Sequence, residues 1–345
     1  MNLANLTTLR LGGPAEDYQA VTSTDAIIDA VRGCDAAGRG LLVLGGGSNL
    51  VVADEGFAGS VVHVLSKGWT LESEDGAGSV TVRVTAGQPW DDFVAHAVRV
   101  GWVGVEALSG IPGSTGATPV QNVGAYGQEV AQTVVAVRAW DRQQNRVLTL
   151  SAADCEFGYR HSRFKEERFR NGPRFVVLEV TFRLGVGDRS APVRYTELAA
   201  RAGVAPGERA DLALVRELVL ELRRSKGMVS DPDDPDSWSA GSFFTNPVVD
   251  ADLAVGLPDG APRWPVAGGR LKLSAAWLIE RAGFTRGYGL PGSVSLSTKH
   301  TLALTHRGGG SAAELLSLAR TVRDGVRDRF GIELVPEPTL VGCAL

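Results

Sequence analysis

Two glycine-rich runs and one proline-flanked carboxylate carry the residue types and spacing that could do chemistry. The first run, Leu44–Leu50 (LGGGSNL), places Gly45, Gly46, Gly47, Ser48 and Asn49 in one turn. Consecutive small residues expose backbone amides that can cradle a phosphate. A dinucleotide fingerprint of the G-x-G-x-x-G type would open a helix. Here Leu50, Val51 and Val52 follow instead, so the turn returns into a strand and that fingerprint fails. An ordinary glycine turn stands beside the phosphate nest as a reading of this run alone. The second run, Ser109–Glu129 (SGIPGSTGATPVQNVGAYGQE), holds five glycines, the hydroxyls of Ser114, Thr115 and Thr118, and the amides of Gln121 and Asn122. A loop of that length inside a compact domain usually has a function. Its small, uncharged residues suit backbone amides that bond a pyrophosphate or the edge of a flavin ring. Near the C-terminus, Glu337 lies between Pro336 and Pro338. The prolines fix its own neighbourhood in an extended form, so the carboxylate sits on a stiff segment, at an active centre or at a rigid surface strand end.

The elements that must position these groups read as alternating strands and helices. Ser23 or Thr24 can cap a helix through Ala36, and strands are expected at Leu41–Leu44, Ser60–Leu65 and Ser79–Gly87. A helix follows from about Asp91 to Val100, then strands at Val134–Trp140, Val147–Leu150 and Phe175–Leu184. Gly185–Arg194 reads as a hinge. Beyond it, Asp211–Arg224 is amphipathic, Leu273–Ala282 is a shorter helix, and Ser311–Phe330 carries a capping box at Ser311 and Glu314. Asp231–Ser237 reads as an exposed acidic loop.

Composition bounds the function. With 35 basic against 39 acidic residues in 345, the net charge is −4, against the basic excess that nucleic acid or anionic lipid requires. Glycine, 43 residues, is about 12% where roughly 7% is usual, so it must serve turns or close approach. Three scattered cysteines and five histidines form no disulfide framework or metal motif, and no metal is expected. The N-terminal residues lack the build of a signal peptide, and no run of 18 or more apolar residues occurs. A soluble cytoplasmic protein, monomeric, without nucleic-acid or membrane partners, is the expectation.

The set LGGGSN, GIPGSTGATPVQNVGAYGQE, CEFGYRHSRFK, AGSFFTNPVV and PEP, in that order, closely resembles the UDP-N-acetylenolpyruvoylglucosamine reductase (MurB) family of bacterial cell-wall synthesis. It spans residues 7 to 342. The resemblance implies an α+β fold: a vanillyl-alcohol-oxidase-like (PCMH-type) FAD-binding domain followed by a smaller α+β substrate-binding domain. Boundaries are expected at 1–190, with subdomains of about 1–65 and 66–190, and at 205–345, the last strand returning Glu337 to the flavin site. It implies non-covalent FAD, with NADPH as co-substrate. The reaction would turn the enolpyruvyl ether of a UDP-linked amino sugar into UDP-N-acetylmuramate. By that resemblance FAD would be held by Gly45, Gly46, Gly47, Ser48, Asn49 and Leu50, by Ile111, Pro112, Gly113, Ser114, Gly116 and Ala117, by Asn122, Gly124, Ala125 and Tyr126, and by Arg223.

Hydride addition to an enolpyruvyl double bond leaves negative charge on the adjacent carbon and its carboxylate, which must be stabilised and then protonated. The motif matches make Ser242 the proton donor, Arg160 the holder of the carboxylate and Glu337 an aid to enolate stabilisation. Tyr159, Tyr195, Lys226 and Asn246 would contact the substrate. Two alternatives stay open: an FAD-dependent oxidase of the same fold superfamily, and a catalytically silent flavin- or nucleotide-binding homologue.

Overall fold

The computed structural model describes residues 1–74, 76 and 78–345. The chain divides into two compact units, and they cut it differently from the expected 1–190 and 205–345. An amino-terminal unit comprises Ala15–Gly46 and Ala58–Arg224. A carboxyl-terminal unit gathers three segments, Met1–Pro14, Gly47–Phe57 and Ser225–Leu345. The first glycine run therefore straddles the division.

In the amino-terminal unit, strand Leu41–Leu44 pairs in parallel with Phe57–Val64, which also pairs with Ala15–Val21. The helix Thr24–Ala36 begins where the Ser23 hydroxyl accepts the Ala26 N–H, and it buries Ile27, Ile28, Val31 and Cys34. A larger sheet runs in the order Arg146–Ser151, Val134–Asp141, Phe175–Val186, Ser79–Thr85, Trp69–Glu74, with Trp102–Val103 on the far end of Phe175–Val186. Helix Trp90–Arg99 seals one face: Trp90, Phe93 and Phe182 meet with ring centroids 5.6–6.0 Å apart. Alternation of buried and half-buried residues along Ser79–Thr85 is the period of two that the sequence shows.

The expected hinge at Gly185–Arg194 is instead packed structure. The Ser190 and Val193 N–H groups donate to Ala210 and Glu208, and Ser190 is fully buried. Glycines and charges made the segment resemble a linker, but its backbone is paired within the unit. The chain leaves the unit at Arg224, near the end of the helix Leu212–Ser225, whose Leu212, Val215, Val219 and Leu222 fill a small separate core.

In the carboxyl-terminal unit, helix Ala312–Phe330 starts with the expected capping box at Ser311 and Glu314 and ends at Gly331 in the left-handed region. Its apolar face packs with Leu278, Ile279, Phe243 and Phe244, and with Leu9, Leu11 and Val51 from the two early segments. Strand Thr339–Val341 pairs in parallel with Leu50–Val52. The loop Asp231–Ser237 is not simply an exposed acidic turn. Asp236 is buried, accepting from the Thr298 N–H at 2.8 Å and from Arg307 at 2.5 Å. Burial works against that charge, but the hydrogen bonds from Thr298, Ser297 and Arg307 outweigh it and hold the carboxyl below its usual range. Among the described residues, no helix is long and apolar enough to cross a membrane.

Candidate functional site

The glycine runs are built by contact with chain as well as by openness. In the amino-terminal unit a Cβ on Gly45 would overlap the Ser114 hydroxyl, and one on Gly46 would lie 2.6 Å from the Gly113 Cα. The two runs that the sequence shows as separate are therefore pressed together, with no room for a side chain between them. In the carboxyl-terminal unit Gly47 has φ +60°, and a Cβ there would overlap the Leu6 carbonyl. Substitution at these positions would break chain packing before it met a ligand.

The second run is not structureless. A 3-10 turn covers Thr115–Ala117, and Gly124–Ala125 pairs with Gln128–Glu129 as a small hairpin. The Gly116 N–H donates to Ala86, and Thr115 donates to Gln88 from both its N–H and its hydroxyl. Ile111 packs on the main core. The loop start is anchored by Asp91, whose carboxylate accepts the Gly110 N–H at 2.6 Å and two bonds from Arg216 at 2.7 and 2.9 Å. Burial opposes the charge on Asp91, but Arg216 and Gly110 win and lower its pKa.

Asn122, expected to touch cofactor, is buried and its amide serves the protein. It donates to the Glu129 carboxylate at 2.8 Å and the Gly158 carbonyl at 3.0 Å, and accepts the Ala131 N–H at 3.1 Å. It thereby clamps the second run to the turn that carries Arg160. That turn closes through paired bonds between Gly158 and His161. Arg160 itself has φ +53°, and its guanidinium donates to the Gly124 carbonyl at 3.2 Å and lies over Tyr159. Asn122 and Tyr126 also have positive φ, +46° and +48°. Non-glycine residues in that region cost about 1–2 kcal/mol each, and they cluster where geometry is imposed.

Tyr126 and Tyr195 meet edge to face with centroids 5.3 Å apart. Burial pushes the Tyr126 phenol up to about 12 and raises that of Tyr195 as well, so both remain neutral O–H donors at physiological pH. Arg223, on the same helix as Arg216, is buried; desolvation lowers its pKa while Tyr126 and Asp91 pull the other way. Within the amino-terminal unit, the second run thus offers neutral hydroxyls and backbone amides beside a buried cation, groups whose chemistry suits a phosphate.

The carboxyl-terminal unit brings together Ser242, Glu337 and the end of the first run. The Phe243 N–H donates to Leu302 at 2.7 Å, and its carbonyl accepts the Glu337 N–H at 2.8 Å. Phe244 bridges to Pro336. Phe243 and Phe244 are buried while Ser242, just before them, is half-buried. Asn49 clasps the same strand, its amide donating to the Glu337 carbonyl at 3.4 Å and its carbonyl accepting from Thr339 at 3.0 Å. Asn246 accepts the Ala275 N–H at 3.0 Å, at the start of helix Ala275–Arg281. Lys226 is half-buried and lies near enough to His300 to act on its charge. Asp91 and Arg216 were missed by sequence reasoning; an aspartate opening a helix gives no signal of a partner 125 residues away.

Comparisons with known proteins find matches along nearly the whole chain. The UDP-N-acetylenolpyruvoylglucosamine reductase C-terminal domain model matches residues 233–341, and an FAD binding domain model matches residues 18–151. The UDP-N-acetylenolpyruvoylglucosamine reductase of Cutibacterium acnes is 54% identical, covering 99% of this chain and 90% of its own. That of Thermobifida fusca is 55% identical, covering 99% and 97%. The crystal structure of the reductase from Thermus caldophilus is similar in fold, with a TM-score of 0.66 at 24% identity over 99% of this chain and 97% of that one. With motifs, fold and full-length relatives in agreement, the chain belongs to the UDP-N-acetylenolpyruvoylglucosamine reductase family.

Proposed function

We propose that this chain reduces the enolpyruvyl ether of UDP-N-acetyl-3-O-(1-carboxyvinyl)-glucosamine to UDP-N-acetylmuramate, with NADPH as reductant, in peptidoglycan precursor synthesis. The observation that carries the reading is the pairing of the Ser242 loop with the Glu337 strand within a chain of this family. When bound, FAD supplies the two-electron carrier between NADPH and the sugar. The two glycine runs and Arg223 hold it without covalent attachment.

Ser242 gives its hydroxyl proton to the carbon that bears the carboxylate, opposite in charge demand to the hydride received by the neighbouring carbon. Arg160 holds the substrate carboxylate with its planar fork of donors. Glu337 hydrogen-bonds the enolate oxygen as charge develops there. Tyr159, Tyr195, Lys226 and Asn246 contact the nucleotide sugar. The enzyme works as a cytoplasmic monomer without nucleic-acid or membrane partners, and its product supports cell shape and division.

The test is spectroscopic. Purified protein should show a flavin spectrum that NADPH bleaches under anaerobic conditions. Addition of the UDP-enolpyruvyl sugar should restore the colour. Flavin that stays with the denatured, precipitated chain would instead favour a covalent oxidase, and a colour that NADPH leaves untouched would favour a silent binding homologue.

A further inference from the structure

The segment Leu6–Leu11 contributes a residue that touches both parts of the proposed site within the carboxyl-terminal unit. The Thr8 N–H donates to the Gly47 carbonyl at 3.1 Å, and the Thr8 hydroxyl donates to the Ser239 carbonyl at 2.7 Å. Gly47 belongs to the first glycine run and Ser239 opens the loop that carries Ser242. The segment is itself fixed. Leu9 and Leu11 are buried in the core, and the Thr7 hydroxyl donates to the Leu11 carbonyl at 2.9 Å. Arg10, at φ +55°, lays its guanidinium 3.8 Å from the centroid of Trp238. Thr8 thus projects from a rigid base.

From Ser239 onward the constraint continues. The Ser239 hydroxyl accepts the Gly241 N–H at 3.2 Å, Ser239 bridges to Thr305, and the Phe243 N–H is tied to Leu302. Ser242 is therefore suspended between two pinned residues, and the upstream pin ends at Thr8. We propose that Thr8 is a positioning residue for the reaction: its hydroxyl sets the placement of Ser242 through the Ser239 carbonyl, and its N–H references that placement to the cofactor run at Gly47. This rests on the reading of Ser242 as proton donor.

The experiment uses the holoenzyme with Thr8→Val, which keeps shape and N–H but removes the hydroxyl, beside Thr8→Ser, Thr8→Ala, Ser242→Ala and the double variant Thr8→Val/Ser242→Ala. Flavin reduction by NADPH and flavin reoxidation by the UDP-enolpyruvyl sugar are followed separately by stopped flow. Flavin content and apoprotein affinity for FAD are measured alongside. Displacement of a reacting group by a fraction of an ångström to 1 Å slows reaction by up to about a hundredfold. Thr8→Val and Thr8→Ala are expected to slow reoxidation about ten- to a hundredfold while flavin reduction and FAD affinity stay at wild-type values. Thr8→Ser should restore reoxidation, and Thr8→Val should add nothing in the Ser242→Ala background. Equal slowing of both half-reactions, weakened FAD binding, no rescue by serine, or an additive double variant would overturn the proposal and leave Thr8 structural. If Ser242→Ala slows reoxidation and Thr8→Val does not, Thr8 alone fails. If Ser242→Ala leaves reoxidation intact, the donor assignment falls and the role of Thr8 falls with it.

Discussion

The N–H of Glu337 meets the carbonyl of Phe243 over 2.8 Å, so the proline-flanked segment and the Ser242 loop share one hydrogen-bonded register. Sequence separates them by more than ninety residues. The bond fixes backbone to backbone, independently of what either side chain does.

Ser242→Ala should remove the proton donor and little else. NADPH should still reduce the flavin at near the normal rate, while turnover falls at least about a hundredfold, the usual contribution of general acid catalysis. Cysteine at 242 should be less harmful than alanine, because a thiol still donates. Stopped-flow measurement of the two half-reactions checks this; slowed flavin reduction in Ser242→Ala would make the serine a binding residue.

Glu337→Gln should impair reoxidation and spare reduction. The amide keeps a hydrogen-bond donor near the enolate, so partial activity should persist, above that of Glu337→Ala. The Glu337 backbone is held by Phe243 and Asn49, so both variants should stay folded, which thermal unfolding checks.

Gly47→Val should fail as a folded protein. At φ +60° with the Leu6 carbonyl in the way, any side chain strains the backbone and collides. The expected loss exceeds about 3 kcal/mol, seen as aggregation or a much lowered melting temperature. A well-folded, colourless Gly47→Val protein would show that the glycine serves the ligand alone.

Asp91→Asn should loosen the start of the second glycine run. It leaves Arg216 without its carboxylate and weakens the acceptor for Gly110, at a cost of about 1–3 kcal/mol. Thermal unfolding and flavin content per chain should both fall, whereas Arg216→Lys should keep the charge and lose only the bidentate fit.

Acid should destabilise the protein before carboxylates begin to titrate. His300 is pushed down to about 4 by burial and then by the positive charges of Lys226 and Arg286. A histidine whose folded pKa lies below its unfolded value near 6.5 gives stability that is present above about pH 6.5 and is lost as pH falls toward 4. His300→Gln should flatten the decline in melting temperature between those values. An unchanged slope would place the loss elsewhere.

Much of the local structure was legible because its signals span only a few residues. The strand that follows LGGGSN and the capping box at Ser311 each declare themselves over a few residues, and each is as expected. What stayed hidden depends on long-range pairing. Gly185–Arg194 has the composition of a linker, yet its amides find Glu208 and Ala210. Asp231–Ser237 has the composition of a solvated loop, yet Arg307 and Thr298 reach Asp236 from 71 and 62 residues away. The three protein partners of the Asn122 amide lie 7, 9 and 36 residues away, and its place in a glycine run gives no hint of them. Composition reports solvation preference, and it is silent about which distant group will meet it.

The parallel pairing of Thr339–Val341 with Leu50–Val52 sets a timetable for biosynthesis. Leu50–Val52 leaves the ribosome long before its strand partner Thr339–Val341, nearly 290 residues later in the sequence. The amino-terminal unit, complete at Arg224, can assemble while translation continues. Between those moments two early segments wait as unpaired guests, with Leu9, Leu11 and Val51 exposed and in need of a core that does not yet exist. Termination anywhere between Arg224 and Thr339 would therefore release a chain with a finished amino-terminal unit and adhesive early segments, a substrate for chaperones and proteases rather than a partly active enzyme.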